Sequence, residues 1–529
     1  MTFATRLLAA TILAAGLSTA ANAKTLVYCS EGSPENFTPA LNTTGTSFDA
    51  ARPVYNQLVE FARGTTEVSP GLAESWTVSD DGLTITFKLR SGVKFHSTKE
   101  FTPSRDFNAD DVLFSFNRQG DPNHPYHKIS GGAYDYYNDM GMPDLIASLE
   151  KVDDLTIKMV LKEPNAPILA NLAMDFGTIH SAEYADFLLK AGKPEEFDQV
   201  PVGTGPFSFV GYQKDAVIRY RAFPDHWAGA APLDGLVFAI TPDATARYAK
   251  LQKGECHVMF GPNPADLAAM KEDQNINLMS QPGLNIAYLS MNVEKPPFDK
   301  KEVRQAVNMA IDKAALIKDV YQGAGQAATN PIPPTIWSYN DAVQDYEYNP
   351  DKAKEMLAAA GVTTPMEVDL WYMPVQRPYN PNARRIAEMM QADLAKVGLN
   401  AKLVTYEWGE YRKRLQAGEH MLGQLGWTGD NGDPDNFFFL LGCAAAREGG
   451  QNLSKWCNKD FDDRLLQARK LTDKAERTKL YEEMQVIAKE EAPWVTIAHS
   501  VVYEPTRKEV KDYKISPFGR HEFYGVSIE

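Results

Sequence analysis

Two turn-rich stretches in the C-terminal half of the chain carry the most specific information on its architecture and function. Residues 370–382 read LWYMPVQRPYNPN, and residues 426–437 read GWTGDNGDPDNF. Each stretch follows an apolar run and places a charge beside aromatic side chains, an arrangement typical of ligand-binding loops. The first offers the guanidinium of Arg377 and the second the carboxylate of Asp430. Neither packing nor solubility requires these residues, so we predict a binding site that uses both charges.

The sequence around these stretches alternates strand and helix signals, which is typical of a mixed α/β protein. Apolar and polar residues alternate over 83–89 and 155–161, and this period of two predicts half-buried strands. Over 300–321 apolar residues recur at intervals of three and four, which predicts one amphipathic helix. We expect Asp299 to cap this helix, Glu302 to complete a capping box and Gly323 to end it.

Two further elements are predicted near the binding stretches and the C-terminus. Residues 382–406 predict a helix that ends at Gly398 and is followed by a strand at 403–406. A last long helix is predicted over about 459–490, before Pro493. No linker or repeat separates these elements, so we expect domains that pack together, with crossovers near 203–206 and 282–283.

Composition limits the class of protein. The 529 residues are 44% hydrophobic and 11% aromatic, enough to bury a large core, and this excludes disorder, collagen and coiled coil. A chain of this length should hold about two to four domains. The 54 Lys and Arg against 69 Asp and Glu give a formal charge of −15. Nucleic-acid binding needs a clustered basic surface, and we find none, so a nucleic-acid partner is not expected.

The first 23 residues resemble an export signal. Arg6 supplies a positive start, residues 7–17 form an apolar run, and Ala21-Asn22-Ala23 is a small-x-small cleavage site. The apolar run is too short for a membrane anchor, which needs about 20 residues. We therefore predict a signal peptide over 1–23 and a mature N-terminus at Lys24.

All four cysteines follow the predicted signal peptide, at Cys29, Cys256, Cys443 and Cys457. An even number of cysteines in an exported protein favours two disulfides, although four cysteines permit three pairings. Cys443 and Cys457 are close in sequence and are expected to pair, which leaves Cys29 with Cys256. Free structural thiols are the alternative.

Motifs of enzymes and of metal sites are missing from the sequence. It contains no G-x-S-x-G, no phosphate-binding P-loop and no H-E-x-x-H, and Pro206 prevents residues 203–205 from opening a dinucleotide-binding helix. His124 and His127 have metal-like spacing, but we interpret them as exposed polar loop residues. We therefore expect no catalytic residue, no metal and no cofactor, and a binding protein rather than an enzyme.

The two stretches, together with residues 25–32, 70–74, 203–207 and 406–411, closely resemble bacterial periplasmic dipeptide-binding proteins. These are the solute receptors of peptide ABC importers in extracellular solute-binding protein family 5. The resemblance covers the chain from Lys24 to Glu529.

This resemblance implies an α/β fold of the periplasmic-binding-protein type II-like class, in which two lobes close on a ligand about a hinge. Lobe I would comprise residues 24–56, 206–283 and 501–529, with an extra domain inserted over 57–205, and lobe II would comprise 284–500. Cys29 and Cys256 then fall in one lobe and Cys443 and Cys457 in the other, in agreement with the expected pairing.

The resemblance also implies the ligand contacts. Asp430 would receive the ammonium of a dipeptide, and Arg377 would clamp its carboxylate with a planar fork. Because each extended residue spans about 3.3–3.6 Å, two fixed opposite charges would select ligand length. The remaining implied contacts come from both lobes: Tyr379, Trp427, Gly429, Thr43, Thr44, Gly45 and Thr46.

Alternative interpretations exist for the main residues. Trp427 could be a core aromatic, Arg377 a member of a surface ion pair, and Asp430 a turn residue beside the rival carboxylates Asp433 and Asp435. The threonine loop at 43–46 could be a plain turn.

The predicted function is capture of dipeptides in the periplasm and delivery to an inner-membrane ABC permease by a monomeric receptor. Haem and a chemoreceptor are further candidate partners. The first alternative keeps the fold but binds oligopeptides, haem or another small solute. The less favoured alternative is a secreted hydrolase that uses Asp430, Asp433 and Asp435.

Overall fold

The computed structural model describes residues 24–529, so the predicted signal peptide lies outside the described residues. These residues form a mixed α/β protein, as the alternating sequence pattern predicts. The strands have the following bounds: β1 Thr25–Cys29, β2 Val59–Phe61, β3 Val68–Pro70, β4 Ala73–Val78, β5 Thr84–Leu89, β6 Ile146–Asp153, β7 Thr156–Leu161, β8 Phe207–Gln213, β9 Val217–Ala222, β10 Gly235–Ala239, β11 Val258–Met259, β12 Ile276–Pro282, β13 Asn285–Met291, β14 Gly325–Ala327, β15 Met366–Trp371, β16 Leu399–Val404, β17 Leu422–Thr428, β18 Trp494–Arg507, β19 Val510–Lys511 and β20 Ser527–Ile528.

The α-helices connect and cover these strands. Their bounds are: α1 Gly45–Ala51, α2 Ala109–Gly120, α3 Asp135–Asp139, α4 Met142–Leu145, α5 Ile168–Leu172, α6 Ala182–Lys190, α7 Ala244–Gln252, α8 Leu267–Glu272, α9 Lys301–Ala310, α10 Lys313–Leu316, α11 Pro350–Ala359, α12 Ala383–Lys396, α13 Trp408–Gln416, α14 Asp435–Phe438, α15 Lys459–Lys470 and α16 Lys474–Glu491.

The long strand β18 joins two halves of the main sheet. The sheet runs in the order β16-β15-β17-β13-β18-β11-β1-β10-β9-β8, with β12 and β14 also paired to β18. The first part of β18 pairs with β13, and its last part pairs with β11 and β12. The chain also crosses between the halves at 282–285, where Gly283 N donates to Ser500 O at 3.0 Å. The two crossings therefore lie side by side.

A separate antiparallel sheet, in the order β4-β5-β7-β6, forms the centre of the segment 57–205. It contains the two strands predicted from alternating polarity, which the structure confirms at Thr84–Leu89 and Thr156–Leu161. Its buried side chains, such as Phe87 and Ile157, belong to the same apolar cluster as Leu370 and Phe437 of the C-terminal half. This segment therefore packs against the C-terminal half.

The single helix predicted over 300–321 is wrong in two respects. Lys300, not Asp299, precedes helix α9, and no side chain caps it. The helix stops at Ala310 because Ile311 is extended, and Asp312 then caps α10 by accepting from Ala315 N at 2.9 Å. A π-helical turn over Ile317–Tyr321 follows and ends at Gln322, before Gly323. The apolar periodicity therefore continues along the sequence although the helical backbone is interrupted, and the cap at Asp312 starts a new helix there.

The long helix predicted over about 459–490 is also two helices, α15 and α16. Asp473 caps the second by accepting from Glu476 N at 2.9 Å. The helix predicted to end at Gly398 is confirmed, with α12 ending at Lys396 and Gly398 at φ +83°. The strand predicted at 403–406 begins earlier, at Leu399, and ends at Val404.

Both expected disulfides are confirmed. Cys29 pairs with Cys256 across 227 residues, with Cα atoms 5.8 Å apart. Cys443 pairs with Cys457 across 14 residues, with Cα atoms 4.7 Å apart. The first bridge ties β1 to the loop before β11, and the second closes a short loop. Across residues 24–529, no helix combines the length and the apolar character that a bilayer crossing requires.

Candidate ligand-binding site

One cavity brings the two charged stretches together. Its empty volume, which includes space open to solvent, is about 780 Å³. Among the predicted contact residues, these line it: Thr43, Thr44, Gly45, Thr46, Arg377, Tyr379, Trp427 and Asp430. Gly429 does not line the cavity; its N–H donates to Leu284 O at 2.6 Å, and Phe437 packs against it.

Arg377 lies in a closed loop between β15 and α12. Its backbone N–H donates to Asn380 O at 3.0 Å, and Asn380 N donates back to Arg377 O at 2.9 Å. Asn382 then caps α12 by accepting from Arg385 N at 3.0 Å. The loop follows the carboxyl end of a strand that pairs in parallel with β16 and β17, the edge where α/β sheets usually bind ligands.

The Arg377 guanidinium contacts the N-terminal half of the chain. Its Nη1 donates to Glu31 Oε1 and to Thr46 Oγ1, both at 3.2 Å, and the group lies 4.3 Å from the ring centre of Trp408. The Arg377 side chain is 9% exposed and that of Glu31 is 4% exposed, so this is a buried ion pair rather than a surface one. Nη2 and Nε have no hydrogen-bond partner within residues 24–529, so two donors are available to a carboxylate.

Glu31 reaches the cavity from the end of β1. Its Oε1 accepts from Thr46 Oγ1 at 2.5 Å as well as from Arg377. Its Oε2 is buried without a partner among the described residues. Glu31 therefore orients the guanidinium and leaves one acceptor unused.

Asp430 follows the end of β17. Its backbone N–H donates to Asn436 Oδ1 at 2.8 Å, and its carbonyl oxygen accepts from Arg520 Nη2 at 3.0 Å. Its carboxylate accepts a hydrogen bond from the hydroxyl of Tyr136. Burial raises the pKa of Asp430 to about 7, although the bond from Tyr136 and the charge of Arg520 oppose this shift. The carboxylate lacks a direct cationic partner in the described part of the chain.

The rival carboxylates are already paired with arginines. Arg477 Nη2 contacts Asp433 Oδ1 at 2.7 Å, and Arg469 Nε contacts Asp435 Oδ1 at 2.6 Å. Neither carboxylate lines the cavity. A catalytic cluster of three carboxylates, as the hydrolase alternative requires, is therefore not formed.

Two aromatic residues, Tyr379 and Trp427, pack against neighbouring residues and also line the cavity. The Tyr379 ring packs against Gly426, where a Cβ would approach it to 2.3 Å. Trp427 Nε1 donates to Asn436 Oδ1 at 3.1 Å, and its ring lies 5.7 Å from that of Tyr136. Trp427 is thus a core aromatic that also lines the cavity.

The threonine loop at 43–46 meets the C-terminal half through a second arginine. Arg412 Nη1 contacts Glu35 Oε1 at 3.1 Å, and its Nη2 donates to Thr43. Residues 43–46 are therefore more than a plain turn, because they hold side chains that contact the facing half.

Sequence reasoning missed four of the residues described above at this site: Glu31, Tyr136, Trp408 and Arg412. Glu31 lies within the 25–32 stretch that carried the resemblance, so a signal for it was present. Tyr136 belongs to a cluster of tyrosines at 134–137 that looks like ordinary core. Its contact with Asp430 spans 294 residues, and no local pattern predicts such a contact.

Metal binding finds no support in residues 24–529, where no group of three or more His, Cys, Asp or Glu could hold an ion. His124 and His127 are half-buried and bond to the backbone, His124 through Tyr126 N and His127 through Arg118 O. They are thus less exposed than expected.

The cavity lies between two halves of a sheet that adjacent crossing strands join, and its lining includes a guanidinium and a carboxylate. These features define a two-lobed ligand-binding protein. Residues 67–447 match the family model of bacterial extracellular solute-binding proteins, family 5. The chain therefore belongs to this family of solute-binding proteins.

Curated relatives cover nearly the whole chain. The chain is 59% identical to a dipeptide-binding protein of Escherichia coli, over 98% of this chain and 97% of that protein. It is 56% identical to heme-binding protein A of Haemophilus influenzae, over 96% of this chain and 92% of that protein.

Solved structures agree in fold. A dipeptide-binding protein of Pseudoalteromonas sp. SM9913 in complex with Met-Leu matches with a TM-score of 0.92 at 38% identity, covering 96% of this chain and all of that one. A periplasmic binding protein of Helicobacter pylori, in complex with the peptide STSA, matches with a TM-score of 0.92 at 39% identity, covering 96% and 98%. The predicted type II-like, two-lobe α/β fold is confirmed.

Proposed function

We propose that this protein captures dipeptides between its two lobes and delivers them to an inner-membrane ABC import permease. The observation that carries the proposal is one cavity that is lined by both Arg377, with two unused guanidinium nitrogens, and Asp430, with no cationic partner in residues 24–529. A dipeptide zwitterion supplies the missing carboxylate and the missing ammonium. The names of the 59% identical relative and of the solved complex with Met-Leu support this ligand.

The proposed division is lobe I at 24–56, 206–283 and 501–529, an extra domain at 57–205 and lobe II at 284–500. The junctions at 56/57 and 205/206 lie together, because Gly205 N donates to Val54 O at 2.8 Å. The junctions at 283/284 and 500/501 also lie together, through the bond from Gly283 N to Ser500 O. Paired crossings of this kind support a hinge at each boundary.

Closure on the ligand follows from contacts that cross between these parts. Arg377 reaches Glu31, Arg412 reaches Glu35, and Asp430 receives the Tyr136 hydroxyl. A ligand that bridges Arg377 and Asp430 within a cavity closed by these contacts binds the closed state more tightly than the open one, and so shifts the population toward it.

The proposed setting is the periplasm, reached through a signal peptide at 1–23, where the protein acts as a monomeric receptor without catalytic activity. The extracellular description of the family supports this setting. Incubation of the pure protein with dipeptide, followed by chromatography, is expected to return the peptide intact; hydrolysis would contradict this part of the proposal.

Calorimetry with Ala-Ala, N-acetyl-Ala-Ala and Ala-Ala-amide tests the charge clamp. N-acetyl-Ala-Ala leaves the buried Asp430 carboxylate without a cation, and Ala-Ala-amide leaves two guanidinium donors of Arg377 without a carboxylate. Both should therefore bind at least about thirtyfold more weakly than the free dipeptide. Equal affinity for all three would contradict the clamp. A series from dialanine to tetra-alanine tests whether the site selects ligand length. This test is needed because the Helicobacter pylori relative was solved in complex with a tetrapeptide.

Haem is a second candidate ligand because of the 56% identical relative named as a heme-binding protein. The cavity lining described above includes Tyr136 and Tyr379 but no His, Cys or Met, so a tyrosine would have to supply any axial ligand. Titration with haemin, followed at the Soret band, separates the two ligands: a saturable shift supports haem, and an unchanged spectrum of free haemin dismisses it.

A further inference from the structure

A glutamine joins the two proposed lobes outside the dipeptide cavity. Gln376 belongs to lobe II and directly precedes Arg377. Its Oε1 accepts a hydrogen bond from Nη2 of Arg247 at 2.8 Å, and its Nε2 donates to the carbonyl oxygen of Pro262 at 3.3 Å. Arg247 and Pro262 both belong to lobe I, and neither they nor Gln376 line the dipeptide cavity. The Gln376 amide therefore crosses between the lobes by two bonds without facing the ligand.

Arg247 is a fixed receptor for this amide. Its side chain is fully buried, and a guanidinium has five hydrogen-bond donors. Four of them bond to carbonyl oxygens of lobe I itself: Nε to Phe260 at 2.9 Å, Nη1 to Thr241 at 2.9 Å and to Pro242 at 2.7 Å, and Nη2 to Gly261 at 3.1 Å. Gln376 accepts from the fifth donor. Lobe I thus holds the guanidinium in place by itself and leaves one donor directed at lobe II.

The residues on either side of Arg377 are both anchored. Gln376, before it, is bonded to lobe I. Pro378, after it, accepts at its carbonyl oxygen from Ser500 Oγ at 2.6 Å. Ser500 lies at the crossing between the lobes, where its own carbonyl oxygen accepts from Gly283 N. The position of the Arg377 loop relative to lobe I therefore depends on the crossing on one side and on the Gln376 amide on the other.

This contact differs from the ion pairs that also cross between the lobes. Arg377 pairs with Glu31 and Arg412 pairs with Glu35, but Glu31, Arg377 and Arg412 line the dipeptide cavity. Their removal would change the surroundings of the ligand itself. Loss of the Gln376 amide would instead weaken the contact between the lobes and leave every group of the cavity lining in the chain.

We propose that Gln376 is a positioning residue, whose amide bonds to Arg247 and Pro262 when the lobes close, holds Arg377 on the ligand carboxylate and slows release of the dipeptide. This inference rests on the proposed function. The ligand enters between separated lobes, and the Gln376 bonds form as the lobes close. They therefore stabilise the closed complex, which lengthens the residence time of the ligand and leaves the association rate unchanged.

The substitution Gln376→Met tests this role, because methionine has a similar length and cannot form either bond. Release of radiolabelled Ala-Ala from the loaded protein into an excess of unlabelled peptide measures the dissociation rate. Calorimetry gives Kd, and the two values together give the association rate. We expect release about tenfold faster than in the wild type, since one of the lost bonds has a charged donor, and association within about twofold.

The matched control is Gln344→Met, at an exposed position of lobe II where the side chain bonds only to the nearby carbonyl of Ala342. It should release Ala-Ala at the wild-type rate. Thermal unfolding separates closure from a purely structural role. Gln376→Met should keep the wild-type Tm without ligand and gain less in Tm from saturating Ala-Ala, because its closed complex is weaker.

Three results would overturn the inference while the wild type binds Ala-Ala: release from Gln376→Met at the wild-type rate, an equal acceleration in Gln344→Met, or a Tm of Gln376→Met that falls equally with and without ligand. Each of these leaves the proposed function intact. Failure of the wild type to bind any dipeptide would overturn the proposed function, and this inference with it.

Discussion

The two ends of the candidate dipeptide cavity are built differently. At one end Arg377 already pairs with Glu31, bonds Thr46 and lies over Trp408. At the other end Asp430 has a hydroxyl partner, Tyr136, but no direct cation in the described chain, and burial raises its pKa to about 7. One end is a preassembled ion pair, and the other is a carboxylate in need of a cation.

This difference assigns different tasks to the two ends. In the proposed complex Arg377 serves two anions, Glu31 and the ligand carboxylate, so its removal would leave both without their arginine. In the same proposal Asp430 serves one cation, the ligand ammonium, and that cation would favour the ionised form of its carboxyl group. The Arg377 end should therefore be the more sensitive to mutation, and the Asp430 end should be the more sensitive to pH.

The largest effect is expected for Arg377→Met. It leaves Glu31 and the ligand carboxylate buried together without a direct cationic partner, which costs about 3–5 kcal/mol, or about a hundredfold or more in dipeptide affinity. Calorimetry with Ala-Ala measures this loss. The double variant with Glu31→Gln should recover part of it, and Arg385→Met, at an exposed helix position, is the matched control. Wild-type affinity in Arg377→Met would contradict the assignment.

A somewhat smaller loss is expected for Asp430→Asn. The ligand ammonium loses its charged acceptor, at a cost of about 2 kcal/mol or more, or about thirtyfold in affinity. Part of this is offset because the protein no longer buries an unpaired carboxylate. Asp463→Asn, on the exposed face of α15, is the control and should bind Ala-Ala normally. A loss of affinity in Asp430→Asn no larger than that in the control would show that the ammonium binds elsewhere.

The pH dependence of binding separates the two ends further. Asp430 must be ionised to receive an ammonium, and its pKa in the ligand-free protein is about 7. Below that pH binding has to expel a proton, so affinity should fall as the pH falls, approaching about tenfold per pH unit. Calorimetry in buffers of different ionisation enthalpy counts the proton released. Asp430→Asn should abolish this release, and Arg377→Met should retain it; a flat profile in the wild type would contradict the raised pKa.

The smallest effect is expected for Tyr136→Phe. This change removes the hydrogen bond to Asp430, which lowers the pKa of that carboxyl, so the pH midpoint of binding should move upward. We expect about a fivefold loss of affinity at neutral pH, the value of one hydrogen bond. Tyr137→Phe, on the same helix but outside the cavity lining, should leave the midpoint unchanged. An identical shift in both variants would assign the effect to packing.

Sequence patterns predicted elements best where one local rule sufficed. The alternating strands at 84–89 and 156–161 and the helix before Gly398 follow from the period of their apolar residues. The predictions of one continuous helix over 300–321 and another over 459–490 were wrong, because Asp312 and Asp473 each cap a new helix within a continuing apolar pattern. Periodicity reports which face is buried, and it does not report whether the backbone is continuous.

The residues of the candidate site also divide into those that a local pattern predicts and those that only the folded chain brings together. Arg377 and Asp430 were found from their own loops, as were the rival carboxylates Asp433 and Asp435. That Arg469 and Arg477 neutralise those rivals became clear only in the folded chain, since the pairs are separated by 34 and 44 residues. Likewise, Glu31 meets Arg377 across 346 residues.

The sequence alone determined the mixed α/β class and the two charges of the candidate site, because each depends on residue type and local spacing. It predicted the cysteine pairing from the closeness of Cys443 and Cys457, which left Cys29 for Cys256. Only the tertiary structure decided how those charges differ: Glu31, after β1, gives Arg377 a carboxylate, and Tyr136, on α3, gives Asp430 only a hydroxyl. The physical reason is that burial and partner distance set the energy of a charge, and both are properties of the packed chain.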